Sequence, residues 1–190
     1  MSHKVGALLL AAGFSRRFGG SKLTTELANG RTVFAQTLVN LQAAIPDIVV
    51  VTRPDLVEGL IMDCASLQVF DGADQGMGAT LAYGVGLMQD KNACLICLAD
   101  MPFIQPQTYS QLAAHCTPDN IILPVHDGHV GNPCGFGQQF FTELMQLDGD
   151  TGGKSVIKQH PKAVQHINVA DAAILQDIDT PEDLQKLQSD

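Results

Sequence analysis

The stretch Leu10-Ala11-Ala12-Gly13-Phe14-Ser15-Arg16-Arg17-Phe18-Gly19-Gly20-Ser21-Lys22 joins small residues at the end of an apolar run to a glycine-punctuated loop with three cations. Alanines and glycines let a ligand come close to backbone N–H groups, and Arg or Lys supplies charge to phosphate oxygens. An ordinary surface loop is the alternative at this point. A second chemical position is Asp100, which directly follows the apolar run Ala93–Ala99 and precedes Pro102. A carboxylate fixed there is a hard oxygen ligand suited to Mg²⁺, bridging metal to phosphate, although a helix-capping aspartate fits the same position. Asp177 and Asp179 stand just before Thr180-Pro181-Glu182-Asp183-Leu184. Alternate residues of an extended segment share a face, so spacing does not choose between them.

Three other patterns are weaker. Gly153-Lys154-Ser155 matches the end of a phosphate-binding P-loop, but the required first glycine is Asp148 and no strand precedes the segment. His126 and His129 have metal-like spacing, yet they flank Asp127-Gly128, a turn sequence. Cys94 and Cys97 form C-x-x-C inside an apolar strand, where positions three apart face opposite sides, and this pair reads as core.

The elements that must position these residues follow from hydrophobic patterning. Val5–Ala12, Ile48–Val51, Leu67–Phe70, Ala93–Ala99 and Ile121–Val125 are short, continuous apolar runs, as expected for parallel strands covered on both faces. Thr32–Ile45, Gln105–Cys116 and Gln138–Leu147 carry helical spacing, a helix is expected to open at Gly76-Met77-Gly78, and Thr180-Pro181 caps a final helix. Strand alternating with helix predicts one α/β domain over residues 1–190, a three-layer α/β/α Rossmann-like fold with a mostly parallel central sheet. Ligand is then expected at the carboxyl ends of the strands.

Composition sets the bounds. The 190 residues include 11 basic and 20 acidic side chains, for a net charge of −9. Such a chain lacks the basic face needed for nucleic acid or an anionic membrane. Residues 1–95 are nearly neutral, whereas residues 96–190 hold twelve acids against four lysines. Arg16, Arg17, Lys22 and Arg31 lie close together in sequence, so a small anion is best held there. Five cysteines, an odd number, and no apolar run of transmembrane length point to a reduced, cytoplasmic protein.

L-A-A-G-x-S-x-R-F-G-x-x-K resembles the signature loop of the molybdenum cofactor cytidylyltransferase branch of the GT-A-like NTP transferases. The resemblance extends in order through Gln75-Gly76-Met77-Gly78-Ala79-Thr80-Leu81, Leu98-Ala99-Asp100-Met101-Pro102, Gly131-Asn132-Pro133, Gly149-Asp150-Thr151-Gly152-Gly153 and Asp177-Ile178-Asp179-Thr180-Pro181. It implies that Arg17, Lys22 and Asp100 are catalytic, with the cations on the β and γ phosphates. It implies nucleotide contacts from Leu10, Ala11, Ala12 and Gly13 and from Gln75, Gly76, Met77 and Gly78, the latter glycines beside base and ribose. Gly131, Asn132, Pro133, Asp150 and Gly152 would face the acceptor, and Asp100 and Asp179 would hold Mg²⁺, with Asp177 the alternative second ligand. Arg16 falls at a variable position. The guanylyl branch has L-A-G-G, so Ala12 favours CTP over GTP. The implied reaction is cytidylyl transfer from CTP to the terminal phosphate of molybdopterin. The alternatives are a sugar phosphate or another phosphorylated acceptor, or a non-catalytic carrier that holds nucleotide or cofactor for delivery to a molybdenum-containing oxidoreductase.

Overall fold

A computed structural model describes residues 4–15, 17–60 and 66–188. Arg16 and Cys64 lie outside the described residues. Strands β1 (Val5–Ala11), β2 (Ile48–Thr52), β3 (Leu67–Val69) and β4 (Ala93–Leu98) pair in parallel, in the order β3-β2-β1-β4. Beyond β4 lies β7 (Cys134–Gly137), antiparallel to both β4 and β5 (Ile121–His126). The edge is completed by β6 (His129–Val130), in a hairpin with β5, and by β8 (Val164–Asn168), parallel to β5. The expected parallel core is present, and the antiparallel insertion of β7 is an addition to it.

Alternation along β1 divides the interior into two layers. Ala7, Leu9 and Ala11 face one side with Leu95 and Cys97 of β4. There they meet Phe34, Leu38 and Leu41 of α1 (Val33–Gln42) and Tyr109 and Leu112 of α4 (Pro106–His115), with Leu184 of α7 (Pro181–Leu187) in the same cluster. Leu8, Cys94 and Ile96 face the opposite side. Their partners include Leu81 and Val85 of α3 (Met77–Gly86), Leu144 of α5 (Phe141–Leu144) and Val156 of α6 (Lys154–Gln159). Leu56 and Leu60, which flank and end the one-turn α2 (Val57–Leu60), complete the first cluster. Each fully buried Leu or Phe contributes roughly 1.5–3 kcal/mol by leaving water, so two such layers stabilise the sheet from both faces. Cys94 and Cys97 fall in opposite layers, as core residues; burial pushes the thiol pKa of both up. Among the described residues no helix is long and apolar enough to cross a membrane.

Three differences from the sequence expectation have local causes. β7 reads Cys-Gly-Phe-Gly, a poor strand former by propensity. A Cβ at Gly135 would lie 2.7 Å from Cys116 Sγ, and one at Gly137 would lie 2.4 Å from the Pro118 backbone, so close packing selects the glycines. β8 is largely exposed and polar at the sheet's edge and lacks the apolar run of a central strand. The expected helix over Gln138–Leu147 is instead a 3₁₀ turn, Gln138–Phe140, followed by the short α5. Consecutive Phe140 and Phe141 are both buried, and the tighter turn delivers both rings to the same cluster.

Candidate active site

The carboxyl ends of β1 and β4 open into a cavity of about 490 Å³. Its floor is Leu10, Ala11, Ala12 and Gly13 at the end of β1, and Leu98, Ala99 and Asp100 at the end of β4. Two neighbours hold this floor in place. Thr52 Oγ1 of β2 donates to the Ala11 carbonyl at 3.0 Å, and the Ala99 N–H donates to the Leu10 carbonyl at 3.1 Å. After Asp100 the chain is clamped by Asn40 of α1, whose amide nitrogen lies 3.0 Å from both the Pro102 and Ile104 carbonyl oxygens.

The loop leaving β1 turns at Ser15, with φ of 49°, and at Gly19, with φ of 75°. Arg53, the residue after β2, braces it. Its guanidinium donates to the Gly13 carbonyl at 3.0 Å and stacks over the Phe14 ring at 4.3 Å, while pairing with Asp55. Arg53 escaped the sequence reading; the signal was an arginine at the carboxyl end of the strand beside β1. The loop closes in a 3₁₀ turn, Lys22–Thr24, where the Thr24 and Thr25 hydroxyls donate to the Ser21 carbonyl. That turn buries Lys22, which is 8% exposed.

Lys22 Nζ donates to Asp100 Oδ2 at 2.5 Å and to Asp179 Oδ1 at 3.2 Å. Arg17 Nη2 donates to Asp179 Oδ2 at 2.6 Å. A 78-residue separation in one case and more than 150 in the others is thereby collapsed into one cluster of two cations and two carboxylates. Asp179 is free for this role because the start of α7 caps itself: Thr180 Oγ1 accepts from the Asp183 N–H, and Asp183 Oδ2 accepts from the N–H groups of Asp179 and Thr180. The Ile178 N–H donates to the Asp100 carbonyl at 3.0 Å, tying the two aspartate segments together. Asp177 also lines the cavity. Burial, reinforced by the neighbouring Asp179 and Asp100 charges, raises its carboxyl pKa above the usual aspartate range.

The donor set suits a hard divalent cation. Asp100 Oδ1 is buried without a hydrogen-bond partner, and one ammonium already reaches both Asp100 and Asp179. Among the described residues no group of three or more His, Cys, Asp or Glu is arranged to hold a metal, so further ligands would come from phosphate and water. His126 instead has a ring nitrogen 3.0 Å from the Val169 carbonyl, and His129 has one 2.9 Å from the Asp127 carbonyl.

The opposite wall is the start of α3. Gln75, Gly76, Met77 and Thr80 line the cavity there, whereas Gly78 lies behind them. Asp150 lines it from the segment after α5, and Gly152 sits behind Met77, where an added Cβ would be 3.5 Å from the sulfur. Gly131, Asn132 and Pro133 are not among the lining residues. Gly131 is packed where a Cβ would meet the Ile174 carbonyl oxygen at 2.3 Å, the Asn132 N–H donates to that same carbonyl at 2.9 Å, and the Asn132–Pro133 bond is cis. The structure therefore gathers Leu10–Gly13, Arg17, Lys22, Gln75–Met77, Asp100, Asp150 and Asp179 and leaves Gly131–Pro133 outside.

Known proteins share this arrangement of elements. The chain is 26% identical over 131 residues to a "Probable molybdenum cofactor guanylyltransferase" of Geobacillus sp. (strain WCH70), covering 67% of each chain. It is 26% identical over 189 residues to "Purine catabolism protein PucB" of Bacillus subtilis (strain 168), covering 93% of this chain and 92% of the relative. The crystal structure of Rv0371c from Mycobacterium tuberculosis H37Rv superposes with a TM-score of 0.85 at 22% identity over 100% of both chains, and a manganese complex of that mycobacterial protein has the same fold, at a TM-score of 0.81. A family model described as "MobA-like NTP transferase domain" matches residues 7–164, a span running from inside β1 to the start of β8. With most of its length matched, and with cations and carboxylates meeting at the carboxyl edge of the sheet, the chain belongs to the MobA-like NTP transferase family of nucleotidyltransferases.

Proposed function

We propose that this nucleotidyltransferase moves a cytidylyl group from CTP to the terminal phosphate of a molybdopterin-type acceptor. An acceptor phosphate oxygen forms a bond to the α phosphorus of CTP, the α–β bridging bond breaks, and pyrophosphate leaves with that electron pair. The observation that carries the reading is the cluster of Arg17, Lys22, Asp100 and Asp179 at the edge of a cavity floored by Leu10-Ala11-Ala12-Gly13.

The attacking phosphate is already anionic at neutral pH, so no general base is needed, which agrees with a described cavity lining without histidine. The chain's work is positioning and charge neutralisation. Lys22, fixed by its buried 3₁₀ turn, and Arg17, exposed at the cavity's edge, take up charge on the departing pyrophosphate. Backbone groups of Ala11–Gly13 admit the nucleotide closely, with the Ala12 methyl group restricting the base. Asp100 and Asp179 would hold Mg²⁺, which supplies electrostatic stabilisation of the phosphates when bound. Asp150 stands on the acceptor side. A cytoplasmic setting belongs to the same reading, supported by the free, buried Cys94, Cys97 and Cys116, and handover to a molybdenum-containing oxidoreductase follows from the proposed acceptor.

The test offers CTP, GTP, ATP and UTP, each with molybdopterin or a sugar phosphate and Mg²⁺, and measures pyrophosphate. Turnover with CTP and molybdopterin is expected. Preference for GTP would place the chain with the activity named for the Geobacillus relative, and turnover only with the sugar phosphate would replace the acceptor. Nucleotide binding with no turnover in any pair would favour a carrier.

A further inference from the structure

Gly76 and Gly78 flank Met77 at the start of α3, where the sequence suggests close approach of a nucleotide. The 148–151 backbone packs against both glycines from one side. A Cβ at Gly78 would lie 2.5 Å from the Asp148 carbonyl oxygen and 2.7 Å from that of Thr151. One at Gly76 would lie 2.3 Å from the Gly149 carbonyl oxygen and 2.8 Å from the Asp150 nitrogen. The Gly78 N–H donates to the Gly149 carbonyl at 2.7 Å, and Gly149 turns there with φ of 55°. Every one of these contacts is backbone, and every one belongs to residues 148–151, the segment that brings Asp150 to the cavity.

We propose that Gly76 and Gly78 are positioning residues for the acceptor side: they form a seat in which the 148–151 segment docks, and so fix the span between the nucleotide wall and Asp150. A backbone atom cannot rotate aside as a side chain can. Adding a methyl group at Gly78 must therefore shift the segment by about 1 Å, a displacement that can cost on the order of 10²-fold in a positioned reaction. Gly86, at the other end of the same helix, provides the contrast, because a Cβ there would meet only Met145 Sδ at 3.8 Å.

The inference rests on the reading that Asp150 faces the acceptor, but its test does not depend wholly on turnover. Hydrogen-exchange protection of the residue 78 amide, which donates to the Gly149 carbonyl, calorimetric Kd for whichever of the four nucleotides binds the wild-type protein with Mg²⁺, and acceptor kinetics would be measured for Gly78→Ala and Gly86→Ala. In Gly78→Ala the protection of that amide should fall about tenfold or more. Nucleotide Kd should stay within about threefold, and kcat/KM for the acceptor should fall roughly 10- to 100-fold, chiefly through acceptor KM. Gly86→Ala should match the wild type in all three.

If Gly78→Ala does not fold, Gly149→Ala perturbs the docked partner instead: nothing lies within 4 Å of its Cβ, and only the positive φ is strained. The same pattern is expected. A nucleotide Kd raised about tenfold, or wild-type protection of the residue 78 amide in the folded variant, would overturn the proposal. If no acceptor is turned over by the wild-type protein, the exchange and nucleotide arms still decide the seat, while the functional reading alone fails.

Discussion

Replacing Asp100 by asparagine separates the chemistry of the site from its stability. The substitution keeps the side chain's shape and removes its charge. Asp100 Oδ2 accepts a charge-assisted hydrogen bond from Lys22 at 2.5 Å, the two side chains being 17% and 10% exposed respectively. An asparagine can turn its amide oxygen toward Lys22, but its NH₂ then occupies the place of Oδ1, which is buried and has no partner. Lys22 keeps its bond to Asp179, so the net loss of stability should be about 1–2 kcal/mol, or roughly 2–8 °C in Tm for a chain of this size. Turnover should fall far more, on the order of 10²-fold, or about 2.7 kcal/mol, because a neutral amide neither holds a divalent cation nor balances the charge beside the phosphates. Pyrophosphate release at saturating Mg²⁺, nucleotide and acceptor, alongside calorimetric unfolding, measures both quantities. Asp171→Asn serves as a comparison, since Asp171 Oδ2 accepts from the Gln105 N–H and Thr108 Oγ1 at the start of α4, outside the cavity lining. It should lose stability with little change in turnover. An Asp100→Asn protein turning over within about threefold of wild type would refute the catalytic assignment.

Other expectations follow from the same geometry. Arg17 is 73% exposed, so Arg17→Ala should alter unfolding free energy by less than about 0.5 kcal/mol, yet weaken nucleotide binding about tenfold by calorimetry; an unchanged Kd would count against its phosphate role. Ala12→Gly should raise the GTP-to-CTP ratio of kcat/KM by about tenfold, a gain typical of removing one methyl group, and a fixed ratio would move specificity elsewhere. Asp177 has a folded-state pKa raised chiefly by burial, so its contribution to stability is fully present below the unfolded pKa and is lost as pH rises through the folded value. Asp177→Asn should therefore raise Tm at neutral pH and change it least in acid, and a lower Tm at neutral pH would reverse the assignment.

How much of this was legible beforehand differs by residue. The parallel strands could be read because each is buried on two faces, and apolar runs record that directly. Asp100 was legible from its place after β4, and the freedom of Asp179 from the self-sufficient Thr180 cap. β7 was hidden because its glycines answer to Cys116 and Pro118, distant neighbours that no local pattern reveals. Arg53 was hidden for a similar reason: its value lies in sheet order, which puts the end of β2 beside the loop leaving β1. For Gly76 and Gly78 the resemblance implies close approach of base and ribose, and the packing of the 148–151 backbone against both glycines has no signal in the local sequence. Gly131 is the converse case, its small size answering to the Ile174 carbonyl instead of to a substrate.

If nucleotide and metal bind as proposed, the pairing of Lys22 and Arg17 with Asp100 and Asp179 makes loading of the cavity an exchange of counter-ions. Before substrate arrives, each positive group already has a negative companion. An incoming polyphosphate can claim the two cations only by stripping the aspartates of theirs, and an incoming metal can claim the aspartates only by releasing the cations. Either newcomer alone would leave the buried Lys22 ammonium or the Asp100 carboxylate without its counter-charge, whereas both together would re-pair each of them. On that reading the cavity is matched to an anion and a cation arriving together, and a protein of net charge −9 would receive a strongly anionic nucleotide by trading partners within the pocket without attracting it through its overall field.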